Sequence, residues 1–354
     1  MTRLLRAVDL FCGAGGLTVG LTQAGFSVVG AVEKDPLACD TYADNQPDVH
    51  LWREDIREVK GREMLASLGL SEGELDLVAG CPPCQGFSSM RTLNGRQEVV
   101  EPRNDLIYEY GRLVSELRPR AVLMENVPGL AKDRRFDDLI DLLEQMGYQA
   151  RGGYRVLNAA DYGIPQNRRR LVLVAAMGAP VLPAEAPAGP KRTVRDAISG
   201  LPAPGSSGDP LHDLPERRSP RVAQLIRQIP KDGGSRIALD TQLKCHAQFD
   251  GFKDVYGRMR WDRPAPTITG GCHNPSKGRF LHPEYNRAIT LREAALLQGF
   301  PPDYEFRLDR GKLAAALMIG NAIPPGFVAA HAAPLAAHLA QARTSSQEIG
   351  MVTA

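Results

Sequence analysis

The chain has 354 residues, of which 43% are hydrophobic and 24% charged, as is typical of a globular protein, so wholesale disorder is excluded. This length predicts two domains, or one large domain with an insertion. The 43 lysines and arginines nearly balance the 41 aspartates and glutamates, which excludes a histone-like polybasic protein, and six cysteines are too few for a disulfide scaffold.

The N-terminal residues 1–11 start with basic and apolar side chains, as a signal peptide does. Asp9 interrupts the apolar stretch and a glycine turn follows at once, which predicts a first strand rather than a leader. We expect no apolar run to approach the ~18 residues of a membrane span. These features predict a soluble, cytoplasmic protein that does not contact a membrane.

The first half of the chain alternates strand and helix patterns. Short apolar runs predict strands at 4–11, 27–33, 75–79, 121–124 and 170–177. Helical spacing of apolar residues, or helix-like composition, predicts helices at 17–24, after Pro36, at 105–117 and at 136–146. Repeated strand–helix–strand units predict an α/β fold with a doubly wound, mostly parallel sheet covered by helices on both faces.

The pattern stops after residue 177. Residues 178–220 hold nine of the 27 prolines, which predicts a linker or an irregular segment. Residues 178–286 carry 16 lysines and arginines against 11 acidic residues, so this middle third is a separate, basic region. Helical patterns return at 291–297 and 313–318, and the tail beyond Gln341 is polar.

A glycine turn, Gly13-Ala-Gly15-Gly16, ends the first predicted strand and opens a helix. Such a turn lets a ligand approach the backbone, and the helix N-terminus offers unpaired N–H groups. Glu33 ends the next strand 20 residues after Gly13, where an acid commonly binds ribose hydroxyls. The pattern predicts a nucleotide-like ligand, either a dinucleotide or S-adenosylmethionine, and the alternative is a tight turn plus a surface acid.

The segment Gly80-Cys81-Pro-Pro-Cys84-Gln-Gly-Phe-Ser88 follows another predicted strand, where doubly wound folds place their active sites. A zinc site would need four ligands, and the chain has no second CxxC pair. A redox pair needs a helix directly after the cysteines, and the residues that follow start a helix poorly. The third interpretation is a nucleophilic cysteine held by a stiff Pro-Pro turn, and this site would have to activate the thiol.

Two further polar motifs follow predicted strands. Glu125-Asn126 ends a strand that should share its edge of the sheet with Cys84, although a lone carboxylate there could also cap the next helix. Gln166-Asn-Arg168-Arg-Arg170 leads into a strand, and alternation would place Arg168 and Arg170 on one face. Two arginines near a nucleophile suit an anionic or carbonyl-rich substrate, whereas the alternative is a solvated basic cluster.

Taken together these motifs resemble those of the DNA (cytosine-5) methyltransferases. The resemblance covers residues 8–177 and 287–325, in the family's order. Its motifs are Asp9-Leu-Phe-Cys-Gly-Ala-Gly-Gly16, Pro83-Cys84-Gln85, Glu125-Asn126-Val127, Gln166-x-Arg168-x-Arg170, residues 287–304 with Gln298-Gly-Phe-Pro301, and Gly320-Asn321. Two departures are small: Cys81 stands where many members have Gly or Ala, and Ala322 replaces a frequent Ser.

The resemblance implies a Rossmann-like methyltransferase fold and methyl transfer to C5 of a cytosine flipped out of double-stranded DNA. Cys84 is expected to add to C6 of the base, and Glu125 to bind N3 and the exocyclic amine. Arg170 is expected at O2, with Arg168 supporting the loop or contacting phosphate.

S-adenosylmethionine is the implied cofactor, with no metal. The residues implied to bind it are Phe11, Gly13, Gly15, Glu33 (ribose), Asp55 and Ile56 (adenine), Pro83 (near the methyl group) and Asn321 (methionine end). The polar segment 88–103 predicts a mobile loop that closes over the flipped base.

By the same resemblance, residues 1–179 form the catalytic domain, 180–304 a smaller target-recognition domain with its scaffold, 305–345 a return segment and 346–354 a tail. The candidate DNA contacts are Gln85, Ser88, Arg258, Arg260, Arg263, Lys277 and Arg279, and for each basic residue a solvated loop is the alternative. The implied partner is double-stranded DNA. A cognate restriction endonuclease is a candidate partner, and we expect a monomer.

Three other functions compete with this interpretation. An RNA methyltransferase uses the same scaffold, although the Pro83-Cys84-Gln85 form and the long middle region favour DNA. A catalytically silent DNA-binding regulator would not need Cys84, Glu125 and Arg170 together, and a thiol oxidoreductase would use Cys81 with Cys84. The middle region has no readable code for a target sequence.

Overall fold

The computed structural model describes residues 4–83, 105–236 and 254–352. Within these ranges the chain forms seven strands: β1 Leu5–Leu10, β2 Phe26–Val32, β3 His50–Trp52, β4 Leu77–Gly80, β5 Ala121–Asn126, β6 Tyr154–Asn158 and β7 Arg169–Ala176. The same ranges hold eleven α-helices: α1 Gly16–Gln23, α2 Pro36–Asn45, α3 Gly61–Ser67, α4 Leu106–Leu117, α5 Arg134–Gln145, α6 Val194–Ile198, α7 Pro210–Asp213, α8 Pro220–Gln228, α9 Leu291–Gln298, α10 Gly311–Asn321 and α11 Pro325–Val352.

All seven strands form one mixed sheet in the order β3-β2-β1-β4-β5-β7-β6. The first five strands in this order run parallel to one another, and β7 is antiparallel to both β5 and β6. This confirms the predicted α/β class and the mostly parallel sheet. The expectation that 170–177 continues the parallel series is wrong in direction, and the short strands β3 and β6 were not predicted.

Local sequence explains the central elements. Every residue of β4 and β5 is buried, so both strands are apolar on both faces apart from their last residues. Apolar residues recur at helical spacing in α4 and α5, and Leu113, Val114, Phe136 and Leu139 join the buried core beside the sheet. Pro36 begins α2, as predicted, and the side chain of Asp35 caps that helix by accepting hydrogen bonds from the backbone N–H groups of Leu37 and Ala38.

Helix α11 packs on α1 through Gly20. A Cβ atom at this glycine would lie 2.4 Å from the carbonyl oxygen of Pro325 and 2.5 Å from Cβ of Val328. Because a backbone oxygen cannot move aside cheaply, only glycine lets the two helices approach this closely.

The stretch 311–342, which comprises α10 and most of α11, is long and apolar enough to cross a membrane by length and composition. The expectation that no segment approaches this composition is therefore wrong. Half of the most apolar window is buried inside the protein, and the core helices of soluble proteins meet the same criterion. The stretch is also interrupted between Asn321 and Pro325, where α10 ends and α11 begins.

The chain divides into two compact units. The first comprises residues 1–158, 169–187 and 323–354 and contains the sheet, and the second comprises residues 159–168 and 188–322. The second unit thus extends to Ala322 and includes residues 159–168, so its limits differ from the expected 180–304. It carries 22 lysines and arginines against 15 acidic residues, and the basic character of the chain is concentrated there.

Candidate active site

The loop between β1 and α1 has an unusual backbone. Phe11, Gly13 and Gly15 all adopt left-handed conformations, with φ of 63°, 53° and 92°. This conformation is uncommon for a phenylalanine, and such strain persists mainly at functional sites. Nothing lies within 4 Å of the position that a Cβ atom on Gly13 would occupy. The loop therefore presents open backbone to a ligand.

Glu33, at the end of β2, is fixed against this loop. Its Oε2 accepts a hydrogen bond from the backbone N–H of Gly13 at 3.0 Å, and its Oε1 accepts bonds from the N–H groups of Lys34 and Asp35, both at 2.8 Å. The spacing of 20 residues between Gly13 and Glu33, which suggested a common ligand, thus corresponds to a direct contact between the two residues. The carboxylate of Glu33 and the glycine turn after β1 are therefore joined in one surface.

Asp55 follows β3 and is linked to the same edge of the sheet. Its Oδ2 lies 2.9 Å from the ammonium of Lys34, the residue after Glu33. Burial raises the pKa of the Asp55 carboxyl, but the hydrogen bonds from Lys34 and from the backbone of Arg57 outweigh it and lower the pKa overall. Ile56 is buried in the core, and its carbonyl accepts a hydrogen bond from Arg112.

Asp9 is wholly buried at the end of β1. Its Oδ2 accepts a hydrogen bond of 2.7 Å from the hydroxyl of Thr18, which lies 2.8 Å from the hydroxyl of Tyr42. Its Oδ1 accepts none from the described residues. Burial raises the pKa of Asp9 to about 7, and the charge of Glu33 adds to this shift while the Thr18 bond opposes it. Sequence reasoning assigned Asp9 no role beyond the motif.

The ends of β4 and β5 lie side by side, because these strands are parallel and Gly80 pairs with Met124. Asn126 links them: its amide donates to the carbonyl of Pro82 at 2.9 Å, and its Oδ1 accepts from the N–H of Val127 at 2.8 Å. Asn126 thus fixes the start of the Pro-Pro turn to β5. Pro83 is exposed, and Cys84, Gln85, Ser88 and the predicted loop 88–103 lie outside the described residues.

Glu125 and Arg170 meet at this edge. Nε of Arg170 lies 2.8 Å from Oε1 of Glu125, and the carboxylate is almost fully buried. The N–H bond is not directed at the oxygen, so the contact is an ion pair, and Oε1 accepts no hydrogen bond from the described residues. The pair forms because β7 is antiparallel to β5, which brings the start of β7 to the end of β5. A buried oxygen with an open acceptor position suits a donor on a substrate.

The side chain of Cys81 is hydrogen-bonded to Glu125. Burial, followed by the charges of Glu125 and Asp9, raises the pKa of its thiol well above the ordinary value. Cys81 is therefore a neutral thiol at physiological pH and a poor nucleophile. In the part of the chain that the structure describes, no group of three His, Cys, Asp or Glu residues could hold a metal ion.

Arg168 belongs to the second unit and is buried there. Its guanidinium donates to the carbonyls of Ile268 at 3.0 Å and Gly320 at 3.2 Å. Of the two roles considered for Arg168, this geometry favours support of the backbone. Asn321, next to Gly320, is exposed at the end of α10 in the same unit.

Gln166 extends the same support. Its Oε1 accepts from the N–H of Ile268 at 2.8 Å, and its Nε2 donates to Gln298, whose own amide donates to the carbonyl of Ile319 at 2.7 Å. A Cβ atom on Gly320 would lie 2.1 Å from the carbonyl carbon of Thr269, so only glycine fits. The sequence motifs contain Gln166, Gln298 and Gly320, but the sequence does not show that these residues belong to one hydrogen-bonded network.

Five of the seven candidate DNA contacts lie in the described part of the chain, and they fall into two groups. The proposal for Arg258 is wrong, because it is 0% exposed and its guanidinium donates to four backbone carbonyls and to Oδ1 of Asn286. Arg279 is similarly engaged by three carbonyls and the carboxylate of Asp254. Arg260, Arg263 and Lys277 are exposed and remain candidates.

The fold and the residues at the carboxyl edge of its sheet define a Rossmann-like methyltransferase. The family model for C-5 cytosine-specific DNA methylases matches residues 5–335. The chain belongs to this family and is a DNA (cytosine-5)-methyltransferase.

Known proteins with similar sequences cover most of the chain. It is 38% identical to the type II methylase M.HgiDII of Herpetosiphon aurantiacus, over 90% of this chain and 91% of that one. It is 34% identical to the type II methyltransferase M.XorII of Xanthomonas oryzae, over 92% of this chain and 82% of that one. A solved Escherichia coli structure, described as a putative prophage-encoded DNA modification methyltransferase, superposes with a TM-score of 0.71 at 25% identity, over 94% of this chain and 98% of that one.

The raised pKa of Asp9 predicts how stability depends on pH. Because the folded pKa (about 7) exceeds the ordinary 3.8, the stabilisation is complete below about pH 4 and is lost as pH rises through 7. Between about pH 5 and 8, wild type should lose on the order of 2 kcal/mol of unfolding free energy relative to Asp9→Asn, measured by urea titration. The exposed Asp48→Asn is the control, and parallel curves for Asp9→Asn and wild type would contradict the buried neutral carboxyl.

Proposed function

We propose that this protein transfers the methyl group of S-adenosylmethionine to C5 of a cytosine flipped out of double-stranded DNA, through a covalent bond between Cys84 and C6. The observation that carries the proposal is the buried Glu125–Arg170 pair, with an open acceptor on Glu125, beside the turn that leads into Cys84. The flipped base is required because its reacting atoms cannot be reached within a duplex.

The chemistry explains why a thiolate is needed. C5 of cytosine is a weak nucleophile, so addition of the Cys84 thiolate to C6 would convert C5 into an enamine-like carbon. The bound cofactor supplies an electrophilic methyl group to that carbon. A base then removes the C5 proton, the electrons re-form the C5–C6 double bond, and the bond from sulfur to C6 breaks.

Glu125 and Arg170 would bind the base while Cys84 adds. Oε1 of Glu125 can accept a hydrogen bond from the exocyclic amine, and a shared proton between its carboxyl group and N3 would draw electrons from C6. The guanidinium of Arg170 carries donors suited to O2. Because Asn126 binds Pro82, the segment that leads to Cys84 in the sequence starts from a fixed point next to Glu125.

The loop after β1 fits the methyl donor. Open space beside Gly13, the left-handed Phe11 and Gly15, and the carboxylate of Glu33 together suit an adenosyl ligand with ribose hydroxyls. We further assign Asp55 and Ile56 to the adenine, Pro83 to the methyl end and Asn321 to the methionine end.

The part of the second unit that lies within 180–304 would read the DNA target. Its excess of basic residues and the exposed Arg260, Arg263 and Lys277 support backbone contacts. We retain 180–304 as the target-recognition region, with 1–179 and 305–345 catalytic. Relatives named type II methylases support a role in restriction-modification with a cognate endonuclease. We further propose that the protein acts in the cytoplasm as a monomer.

Substitution of the two cysteines tests the nucleophile. Cys84→Ser should abolish transfer of tritiated methyl groups to DNA, because a hydroxyl is far less nucleophilic than a thiolate. Cys81→Ser should retain most of the activity, since its thiol is held neutral against Glu125 and a hydroxyl can keep that hydrogen bond. Equal loss in the two variants would contradict a single nucleophile and favour a zinc or redox site.

Glu125→Gln should retain a polar group of the same size but lose the acid. We expect the turnover number to fall by ~10²–10⁴, in the range typical of acid–base residues, while the affinity for DNA changes little. The exposed Glu72→Gln is the matched control. A near-normal rate in Glu125→Gln would show that this residue only positions the base.

A further inference from the structure

The loop between β3 and α3 is attached to helix α4 by one arginine. The guanidinium of Arg112 donates through Nη2 to the carbonyl of Ile56 at 2.8 Å and through Nη1 to the carbonyl of Val59 at 3.0 Å. Ile56 and Val59 are both buried, so their carbonyl groups need hydrogen-bond donors from within the protein. Arg112 therefore holds both ends of the short segment 56–59.

This segment forms a tight turn that also fixes Asp55. The backbone N–H of Val59 donates to the carbonyl of Ile56 at 3.3 Å, which closes the turn. The N–H of Arg57, inside the turn, donates to Oδ1 of Asp55 at 3.1 Å. The direction of the Asp55 carboxylate thus depends on the turn whose carbonyl groups Arg112 binds.

Carboxylates of its own helix hold Arg112 in place. Its Nε donates to Oε2 of Glu109 at 2.7 Å, and its Nη1 donates to Oε1 of Glu116 at 2.8 Å. With the two carbonyl groups, four acceptors surround one planar guanidinium and fix both its position and its orientation. The single ammonium group of a lysine could not bind all four in this geometry.

Glu116 forms a second link from α4 to the same loop. Its Oε2 accepts a hydrogen bond of 2.6 Å from the N–H of Gly61, the first residue of α3, for which the preceding Lys60 provides no side-chain cap. A Cβ atom on Gly61 would lie 2.6 Å from Cβ of Glu116, so this close approach requires glycine. The loop is therefore attached to α4 both within the turn and at its end.

We infer that Arg112 is a positioning residue for recognition of the adenine ring of the methyl donor. The inference rests on the proposed function, in which Asp55 and Ile56 are assigned to that ring. A carboxylate can accept a hydrogen bond from the exocyclic amine of adenine, and such a bond depends steeply on distance and angle. Arg112 lies outside the motifs that assigned the cofactor residues, and it acts through the turn that carries Asp55.

The test compares two ligands of the full chain by calorimetry. S-adenosylhomocysteine has the adenosyl group of the methyl donor, and its inosine analogue has a carbonyl oxygen in place of the exocyclic amine. Wild type should bind the analogue ~10–100-fold more weakly, because an acceptor would then face the Asp55 carboxylate.

Arg112→Lys keeps a positive charge between Glu109 and Glu116 but cannot hold both carbonyl groups. In this variant the Kd for S-adenosylhomocysteine should rise about tenfold, and the preference over the inosine analogue should fall toward unity. Arg112→Met should show at least the same loss. Arg134→Lys is the matched control, because Arg134 is an exposed helical arginine with a carboxylate four residues later, and it should change neither quantity.

Steady-state kinetics separate positioning from a general loss of structure. In Arg112→Lys the KM for S-adenosylmethionine should rise by about the same factor as Kd, while the turnover number at saturating donor should stay at the wild-type value. The midpoint of thermal unfolding checks that each variant is folded, and Arg112→Lys carries the test if Arg112→Met is not.

The possible failures are distinguishable. Equal weakening for both ligands in Arg112→Lys would show that Arg112 serves only the stability of the first unit, and wild-type Kd values in the folded Arg112 variants would likewise overturn the inference alone. A wild type that methylates DNA but binds both ligands equally overturns the assignment of Asp55 to adenine and the inference with it. A wild type that neither binds S-adenosylhomocysteine nor methylates DNA overturns the proposed function.

Discussion

The ion pair between Glu125 and Arg170 depends on the antiparallel direction of β7, and the candidate active site depends on that pair. In a wholly parallel sheet the first residues of β7 would lie at the amino ends of the strands, far from the end of β5. One reversed strand between β5 and β6 instead brings a guanidinium to the carboxyl edge. There the positive charge of Arg170 offsets the free-energy cost of burying the Glu125 carboxylate.

The same edge gathers the other candidate groups. Parallel β4 and β5 place the Pro-Pro turn next to Glu125, and Asn126 holds the two together. Parallel β1 and β2 place the glycine turn next to Glu33 in the same way. Methyl donor and acceptor would therefore approach along one rim of the first unit, each on a loop that a neighbouring strand fixes. Precise placement of this kind is what a reaction between two bound partners requires.

Sequence predicted the parts of this arrangement that local patterns encode. Apolar runs and helical spacing located β1, β2, β4, β5, α4 and α5, and the motif spacing paired Gly13 with Glu33. Strand direction is not a local property, so β7 was assigned to the parallel series, and β3 is too short at three residues to give a pattern.

The basic residues show the same limit. An arginine that is buried and donates to five acceptors within the protein looks in sequence like one that faces solvent, so Arg258 was wrongly placed at the DNA. Whether a basic residue lies at the surface depends on three-dimensional packing. The excess of basic residues in the second unit therefore marks a basic region but does not identify which of its residues are exposed.

The covalent step at Cys84 is the central claim, and fluorine at C5 tests it most directly. Fluorine cannot leave as a cation, so after methyl transfer the enzyme should remain bound to duplex DNA that carries 5-fluorocytosine. We expect a denaturant-resistant complex that forms only with S-adenosylmethionine. Its mass should equal protein plus oligonucleotide plus one methyl group, and the link should lie at Cys84. An enzyme that methylates ordinary cytosine yet never forms this complex would contradict the account.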